Sequence, residues 1–341
     1  MDPIKLDLKD RKILYILSQE ARIPPSIIAK QVGLSKDAVK YRIRQLEKKR
    51  VIFNYLAEVD VYPLGFIGYD MFMKFNIEPE KERMIAEFFN NHKATIWSCY
   101  TSGEWDYYAE MLYSTNEEFH QFTKELTEHF GEELIEYDFM MVGDVYRISQ
   151  MVESVYDGQG IDLKGVVEPH EFPAGRESRK LDDTEKKLLS VIANNAELPI
   201  HVIAERSGLT SEVVRYRLRK LRDEGIIIRT SPVIDYSKIG LEEYIILIDM
   251  KNLDDETEKR LQMRIRNNPD AKYAFRALGR LTALILVNTK NILELESFIK
   301  ELKREFHKII KSVHFLHVTS QEDYTLFPKI LLEQSNYRIR Q

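Results

Sequence analysis

Two short stretches of the chain collect cationic and aromatic side chains at helical spacing. One arc of a helix drawn through residues 36–48, at about 100° per residue, carries Lys40, Tyr41, Arg44 and Lys48. The matching arc of a helix through residues 211–223 carries Arg215, Tyr216 and Arg219. Lysine, arginine and tyrosine are residue types that contact phosphate oxygens, so the pattern suits double-stranded DNA. The plain alternative is that each stripe is a solvated helix face.

The charge is distributed unevenly. The whole chain has a net charge of -5, whereas residues 35–50 carry seven basic and two acidic residues and residues 210–225 carry five and three. The local charges are therefore +5 and +2. Because phosphate binding depends on the local field, the acidic total does not exclude nucleic acid.

A turn at Gly103 is the second candidate site. It is followed by Trp105 and Asp106, and further aromatic residues lie nearby in the sequence: Trp97, Tyr100, Tyr107 and Tyr108. One interpretation is packing against a neighbouring subunit. The other is a small-molecule pocket in which Asp106 holds an ammonium group and the aromatic rings hold an apolar side chain.

Several kinds of chemistry lack a sequence signature. The eight histidines form no HxxxH pair, Cys99 is the only cysteine, and no GxGxxG, phosphate-loop or GxSxG motif occurs. We therefore expect no metal site, no cofactor and no disulfide. With no apolar run of membrane-spanning length and no signal-peptide pattern at the N-terminus, the expected location is the cytoplasm.

The elements that position these residues are written twice. Residues 6–52 align with residues 181–227 at a constant offset of 175, and 16 of the 47 aligned pairs are identical. At 341 residues the chain has the length of about two domains, so each copy is expected to form its own small and larger module.

The small module has the pattern of a helix-turn-helix. In each copy a first apolar-periodic helix is followed by a second, short helix that ends at Gly33 or Gly208, and a third helix is capped by Ser35 or Thr210. The first residues of the third helices, Ser35, Lys36, Thr210 and Ser211, thereby join the candidate DNA-binding set. Beside the apolar stripe lie Arg42 and Arg217, which favour an intradomain ion pair over a phosphate contact. Arg50 stands where copy two has Gly225, which adds charge near the wing and strains the turn.

The larger module has the order βαββαβ, which is typical of a ferredoxin-like sheet with two helices on one face. Residues 66–76 alternate as a half-buried strand, with Asp70 and Lys74 on the polar side. The expected boundaries are a first helix-turn-helix domain (1–58), a first ferredoxin-like ligand and dimerisation domain (59–150), a linker (151–180), a second helix-turn-helix domain (181–233) and a second ferredoxin-like domain (234–341).

This organisation resembles the Lrp/AsnC (feast/famine) transcription regulators once per half. The resemblance rests on the GLS…V..R…L…VI pattern at 33–52, the GLT…V..R…L…GII pattern at 208–227, the hinges at 60–65 and 235–240, and Gly103-x-x-Asp106. It implies a DNA-binding regulator that dimerises through its C-terminal sheets and senses an amino acid. Effector residues by this resemblance are Gly103, Trp105 and Asp106. Copy two has Thr282 in place of Asp106, so the carboxylate is absent there.

Three alternatives follow from the same features. Sirohaem decarboxylases share the domain plan but need cationic groups gathered in one large pocket, and the sequence shows no such cluster. A DNA-free ligand-binding or scaffold protein would be favoured if the basic arcs were buried. The two copies are expected to pair as an intrachain pseudo-dimer, with further association into a homo-oligomer, although pairing between chains is the competing arrangement. Operator, effector and the sign of regulation are not encoded in any motif.

Overall fold

The computed structural model of the chain describes residues 3–156, 178–251, 253–324 and 329, and the two copies follow one order of elements. Copy one consists of α1 (Leu8–Gln19), α2 (Pro25–Val32), α3 (Lys36–Lys48), β1 (Ile52–Val59), β2 (Ile67–Phe75), α4 (Arg83–Asn91), β3 (Thr95–Ser102), β4 (Tyr107–Tyr113), α5 (Asn116–Phe130) and β5 (Leu134–Ile148). Copy two consists of α6 (Asp183–Ile192), α7 (Ile200–Ser207), α8 (Ser211–Asp223), β6 (Ile227–Ile234), β7 (Glu242–Met250), α9 (Asp255–Arg266), β8 (Ala271–Leu278), β9 (Ala283–Thr289), α10 (Ile292–Glu305) and β10 (Ile310–Tyr324). The predicted α+β class, with a helix-turn-helix and a βαββαβ module in each copy, is confirmed.

The described residues fall into two compact units that each combine both copies. One unit contains the helix-turn-helix segments, up to Gly65 and within Glu153–Ile239, and the other contains Phe66–Val152 and Gly240–Tyr324. The domains expected as consecutive segments of the sequence are therefore grouped by type: the helix-turn-helix segments of both copies lie in one unit and the βαββαβ modules in the other. Most of the expected linker, 157–177, lies outside the described residues.

Local chemistry explains where the helices of the first unit begin and end. Asp7 and Asp182 form capping boxes at the first helices. Gly33 and Gly208 adopt left-handed φ angles of 65° and 63° at the turn, a conformation that glycine reaches without steric cost. The predicted Ser35 cap is also confirmed, since its Oγ accepts a hydrogen bond from the Ala38 amide at 3.1 Å.

A two-stranded sheet joins the two copies within this unit. Strands β1 and β6 pair antiparallel, from Ile52 opposite Ile234 to Val59 opposite Ile227. A buried ion pair reinforces the pairing, with Arg229 Nε 2.9 Å from Glu58 Oε2. The two helix-turn-helix segments are therefore partners inside one polypeptide.

The second unit is an eight-stranded sheet that closes on itself, in the order β10-β3-β4-β2-β5-β8-β9-β7. Each copy contributes four neighbouring strands, and the copies join edge to edge at β5–β8 and β10–β3. Helices α4 and α5 cover the outer face of copy one over Tyr69, Met71 and Met73. Closure leaves no free edge on these strands.

The inner face of the closed sheet forms a separate apolar core. It contains Phe72, Trp105 and Tyr108 from copy one and Leu247 and Leu284 from copy two. Strand β2 is consequently buried on both faces, and the interpretation of a half-buried strand was wrong at Asp70, which is 1% exposed. The strands of copy two cover the face that the alternation pattern assigned to solvent.

Candidate nucleic-acid interface

Helix α3 presents its predicted arc to solvent. Tyr41 is 63% exposed, and Lys36, Arg44 and Lys48 are exposed while Lys40 is half-buried. Val39 and Leu46 on the opposite side are buried. The apolar stripe thus anchors the helix and turns the basic arc outward.

Helix α8 repeats this arrangement. Tyr216 is 65% exposed, Arg215 and Arg219 are exposed, and Val214 and Leu221 are buried. At its start, Thr210 Oγ1 accepts from the Val213 amide at 3.3 Å and Ser211 is half-buried. The third-helix residues expected to meet DNA lie together at the surface in both copies.

One arginine on each third helix has an internal role instead. Arg42 Nη1 lies 2.8 Å from Asp7 Oδ2 and 2.7 Å from Asp10 Oδ1, and these hydrogen bonds to Asp10 and Asp7 raise the pKa of the Arg42 guanidinium. Arg217 Nη1 lies 2.6 Å from Asp182 Oδ2 in the same way. The predicted intradomain ion pairs are confirmed.

The basic residues of the exposed arcs are not neutralised in this manner. Within residues 3–156, 178–251 and 253–324, no carboxylate forms an ion pair with Lys40, Arg44, Arg215 or Arg219. Their charges remain available to an external anion.

A cavity of about 270 Å³ next to α8 was not foreseen from the sequence. Four arginines line it, Arg22, Arg215, Arg219 and Arg222, with Ile192, Ala196, Ile200, Leu218, Ile227 and Thr230 completing the wall. The sequence showed no cationic cluster in a large pocket; this smaller cavity gathers four arginines because Arg22 reaches it from copy one. A signal was present in the repeat: at offset 175, Arg22 matches Glu197 and Glu47 matches Arg222, so the charges are reversed.

The Gly103 turn is held by the sheet around it. Gly103 has a φ of 133°, and a Cβ there would meet the Phe315 carbonyl oxygen at 3.1 Å. Asp106 Oδ2 accepts from the Phe75 amide at 2.8 Å. In copy two, Thr282 Oγ1 accepts from the equivalent Met250 amide, also at 2.8 Å. The two side chains therefore accept the same hydrogen bond from the ends of equivalent strands, β2 and β7, and only Asp106 is a carboxylate.

Trp105 lies inside the closed sheet and is 3% exposed, with its ring 6.2 Å from Phe72. Lys74 Nζ sits 5.9 Å from the centre of the same ring. The Trp105 Nε1 hydrogen has no acceptor among the described residues.

Among the described residues, no group of three or more histidine, cysteine or acidic side chains is placed to hold a metal ion. None of the helices described is both long and apolar enough to cross a membrane.

Comparison with known proteins places both helix-turn-helix segments. Residues 6–47 match the AsnC-type helix-turn-helix domain, and residues 181–228 match a winged helix-turn-helix DNA-binding domain. The chain is similar to the transcriptional regulator FL11 of Pyrococcus horikoshii, at 24% identity over 35% of this chain and 78% of the relative. It is 41% identical to the regulator LrpA of the same organism, over 18% of this chain and less than half (43%) of the relative. The DNA-binding transcriptional activator DecR of Escherichia coli is 28% identical over 36% of this chain and 81% of its own length.

Among solved structures, the sirohaem decarboxylase NirDL has the same overall fold. The TM-score is 0.62 at 14% identity, covering 95% of this chain and 97% of NirDL. Identity this low shows shared architecture, and architecture alone does not determine chemistry. With an AsnC-type helix-turn-helix, regulator relatives and the same order of elements in both copies, the chain is similar to the Lrp/AsnC regulators, in a tandem-duplicated form.

Proposed function

We propose that the chain is a sequence-specific DNA-binding transcription regulator and not an enzyme. The proposal rests on one observation, the different roles of the cationic side chains on each third helix. Arg42 and Arg217 are consumed by internal ion pairs, whereas Lys40, Arg44, Arg215 and Arg219 are left without carboxylate partners in the described structure. A third helix that follows a glycine turn and offers unpaired cations suits the major groove and its flanking phosphates.

The two reading helices act as an asymmetric pair. The β1–β6 sheet and the Glu58–Arg229 ion pair hold both helix-turn-helix segments in one unit, so one chain supplies what a homodimer of single-copy relatives would supply. Because the local charge of α3 exceeds that of α8, copy one should contribute more to phosphate binding. Further association of chains into a homo-oligomer belongs to the same proposal.

An amino-acid effector at Gly103, Trp105 and Asp106 is the finer part of the proposal. Asp106 is half-buried and commits Oδ2 to the Phe75 amide, and a carboxylate has acceptor capacity for more than one donor. An ammonium group could therefore share Asp106 with the backbone. Regulation by the effector would act through the second unit.

The competing function is tetrapyrrole decarboxylation, which the fold shared with NirDL brings into consideration. Four arginines do gather around one cavity, but its volume of about 270 Å³ is below the range of about 300–1,000 Å³ usual for ligand pockets and is small for a macrocycle.

One experiment separates the two functions. The purified chain should retard a duplex from the region upstream of its own gene in a gel-shift assay, and the double variant Arg44→Gln/Arg219→Gln should not. In parallel, incubation with sirohaem should leave the visible absorption spectrum of the pigment unchanged. A chain that binds no upstream duplex but shifts the sirohaem spectrum would favour the enzyme.

A further inference from the structure

The cavity beside α8 combines charge with an apolar wall. Its lining includes Arg215, Arg219 and Arg222 from α8 and Arg22 from the loop after α1, while Ile200 and Leu218 belong to its apolar part. All of these residues lie in the first unit. A pocket with a few convergent polar groups on an apolar wall is the usual form of a small-molecule site.

Glu20 contacts three residues of this cavity and already accepts a hydrogen bond from each of them. Glu20 accepts from Arg222 Nη2 at 2.8 Å, from the backbone amide of Arg22 at 2.9 Å and from the Thr230 hydroxyl. The Arg22 guanidinium is held in place by the carbonyls of Ala196 and Leu198, at 2.7 and 2.8 Å. Glu20 and Glu197 act electrostatically on Arg22, so two carboxylates stand against the four arginines and the cavity keeps an excess of positive charge.

The equivalent position in copy one has the opposite character. Glu197 and Glu47 replace Arg22 and Arg222 there, and Tyr55 replaces Thr230. Tyr55 is 7% exposed and donates its hydroxyl to Glu47 Oε1 at 2.8 Å, so a ring occupies the space that Thr230 leaves open. The pseudo-symmetry of the unit is therefore broken at this cleft.

We infer that the α8 cavity binds a small organic anion, a carboxylate with a short apolar chain. Arginine is suited to carboxylates because its planar guanidinium donates in a fixed fork. Isoleucine and leucine on the remaining wall gain from contact with an apolar chain. A bare DNA phosphate would satisfy the arginines but would leave that wall in water.

The bound anion competes with DNA, a consequence that rests on the proposed function. Arg215 and Arg219 are one helical turn apart and are also the cations that α8 offers to phosphates. A carboxylate in the cavity draws both guanidinium groups inward. Occupancy therefore lowers the contribution of copy two to DNA binding. This anion would act directly on α8, unlike the amino-acid effector proposed for the second unit.

Calorimetric titration without DNA tests the site, with hexanoate, hexanamide and acetate as probes. Hexanoate should bind, while hexanamide, which lacks the charge, and acetate, which lacks the chain, should each bind at least tenfold more weakly. Arg215→Gln and Arg219→Gln should each weaken hexanoate binding about tenfold to a hundredfold. Leu218→Phe, which fills the cavity without changing charge, should do the same.

Copy one supplies matched controls. Lys40→Gln, Arg44→Gln and Ile43→Phe change the equivalent positions and should leave hexanoate affinity unaltered. Equal losses from the two sets, equal affinities for hexanoate and hexanamide, or no hexanoate binding by the wild type would overturn the site.

A second measurement tests competition. Saturating hexanoate should weaken wild-type affinity for a duplex from the upstream region about tenfold and leave Leu218→Phe unaffected. Unchanged DNA affinity with hexanoate bound would overturn competition. A chain that binds hexanoate in the calorimeter but no upstream DNA would contradict the proposed function while supporting the cavity.

Discussion

The two α/β modules share strand order and register but fill the closed sheet differently. Copy one places Asp70 and Glu110 directly opposite each other on β2 and β4, with Tyr108 donating a hydrogen bond to Asp70. Copy two has Ile245, Leu286 and Leu284 at these positions, all 2% exposed or less. The same backbone therefore carries a polar cluster in one copy and an aliphatic core in the other.

This difference indicates how the two copies of a covalent duplication can take on different properties. A carboxylate buried beside a second carboxylate is destabilising, so copy one bears a cost that copy two does not. The helix-turn-helix segments differ in a similar sense, with a stronger basic arc on α3 and an arginine cavity on α8. Because each copy is stabilised by its partner through β1–β6, β5–β8 and β10–β3, either one can diverge while the fold persists.

The largest expected effect separates the two reading helices. Replacing Lys40, Arg44 and Lys48 with glutamine should lower affinity for upstream DNA about a hundredfold or more and flatten the logarithmic salt dependence by roughly three units. The same change at Arg215 and Arg219 should cost less, with a loss of about two units of slope. Fluorescence anisotropy between 50 and 300 mM salt measures both. Equal losses from the two helices would contradict the ranking.

The polar cluster of copy one should make stability depend on pH. Burial raises the pKa of Asp70, and burial together with the charge of Asp70 raises the pKa of Glu110. A carboxyl group with a raised pKa in the folded state binds its proton more tightly there. Its stabilising contribution is therefore complete below the unfolded pKa of about 4 and is lost as the pH rises through the folded value.

Asp70→Asn removes the loss of stability that the wild type shows as the pH rises. The variant should unfold with a free energy about 1–3 kcal/mol higher than the wild type at pH 8, with a smaller gain at pH 5. Urea titrations at both pH values measure this, and Glu128→Gln, an exposed carboxylate on α5, is the control. A wild type whose urea midpoint is the same at pH 5 and pH 8 would contradict the assignment.

The Gly103 turn, proposed as the effector site, gives the next test of the difference between the copies. Asp106→Asn should weaken binding of an amine-bearing ligand roughly tenfold to a hundredfold, because a charge-assisted hydrogen bond is worth about 1.5–3 kcal/mol. Thr282→Val in copy two should cost almost no ligand affinity. Calorimetry of the wild type and both variants with the twenty amino acids provides the measurement. If no amino acid binds, or if Asp106→Asn binds normally, the turn is better explained as part of the core between the sheets.

Features predicted correctly from the sequence are those governed by near neighbours. Caps at Ser35 and Thr210, left-handed turns at Gly33 and Gly208, and the ion pairs of Arg42 and Arg217 all follow from helical periodicity and short-range chemistry. The burial of Asp70 did not, because strand alternation shows which residues share a face but not what covers that face. The arginine cavity was missed for the same reason: Arg22 and Arg222 are 200 residues apart in the chain, and contacts between the two copies bring them together.

The smallest expected effect lies at the turns that precede β1 and β6. Arg50 has a φ of 60° and is the only non-glycine residue with a positive φ among those described, whereas Gly225 has a φ of 71° at the matching position. A side chain in this left-handed region costs about 1 kcal/mol, while glycine adopts it freely. Arg50→Gly should therefore stabilise the chain by about 0.5–1 kcal/mol, net of the larger entropy of glycine in the unfolded state, and Gly225→Arg should destabilise it by a similar amount. Lys49→Gly is the matched control, because Lys49 has an ordinary φ of -81° and the change should only destabilise. Urea midpoints at constant m-value measure all three variants. If Arg50→Gly loses as much stability as Lys49→Gly, the Arg50 side chain stabilises the turn before β1 by more than its backbone strain costs.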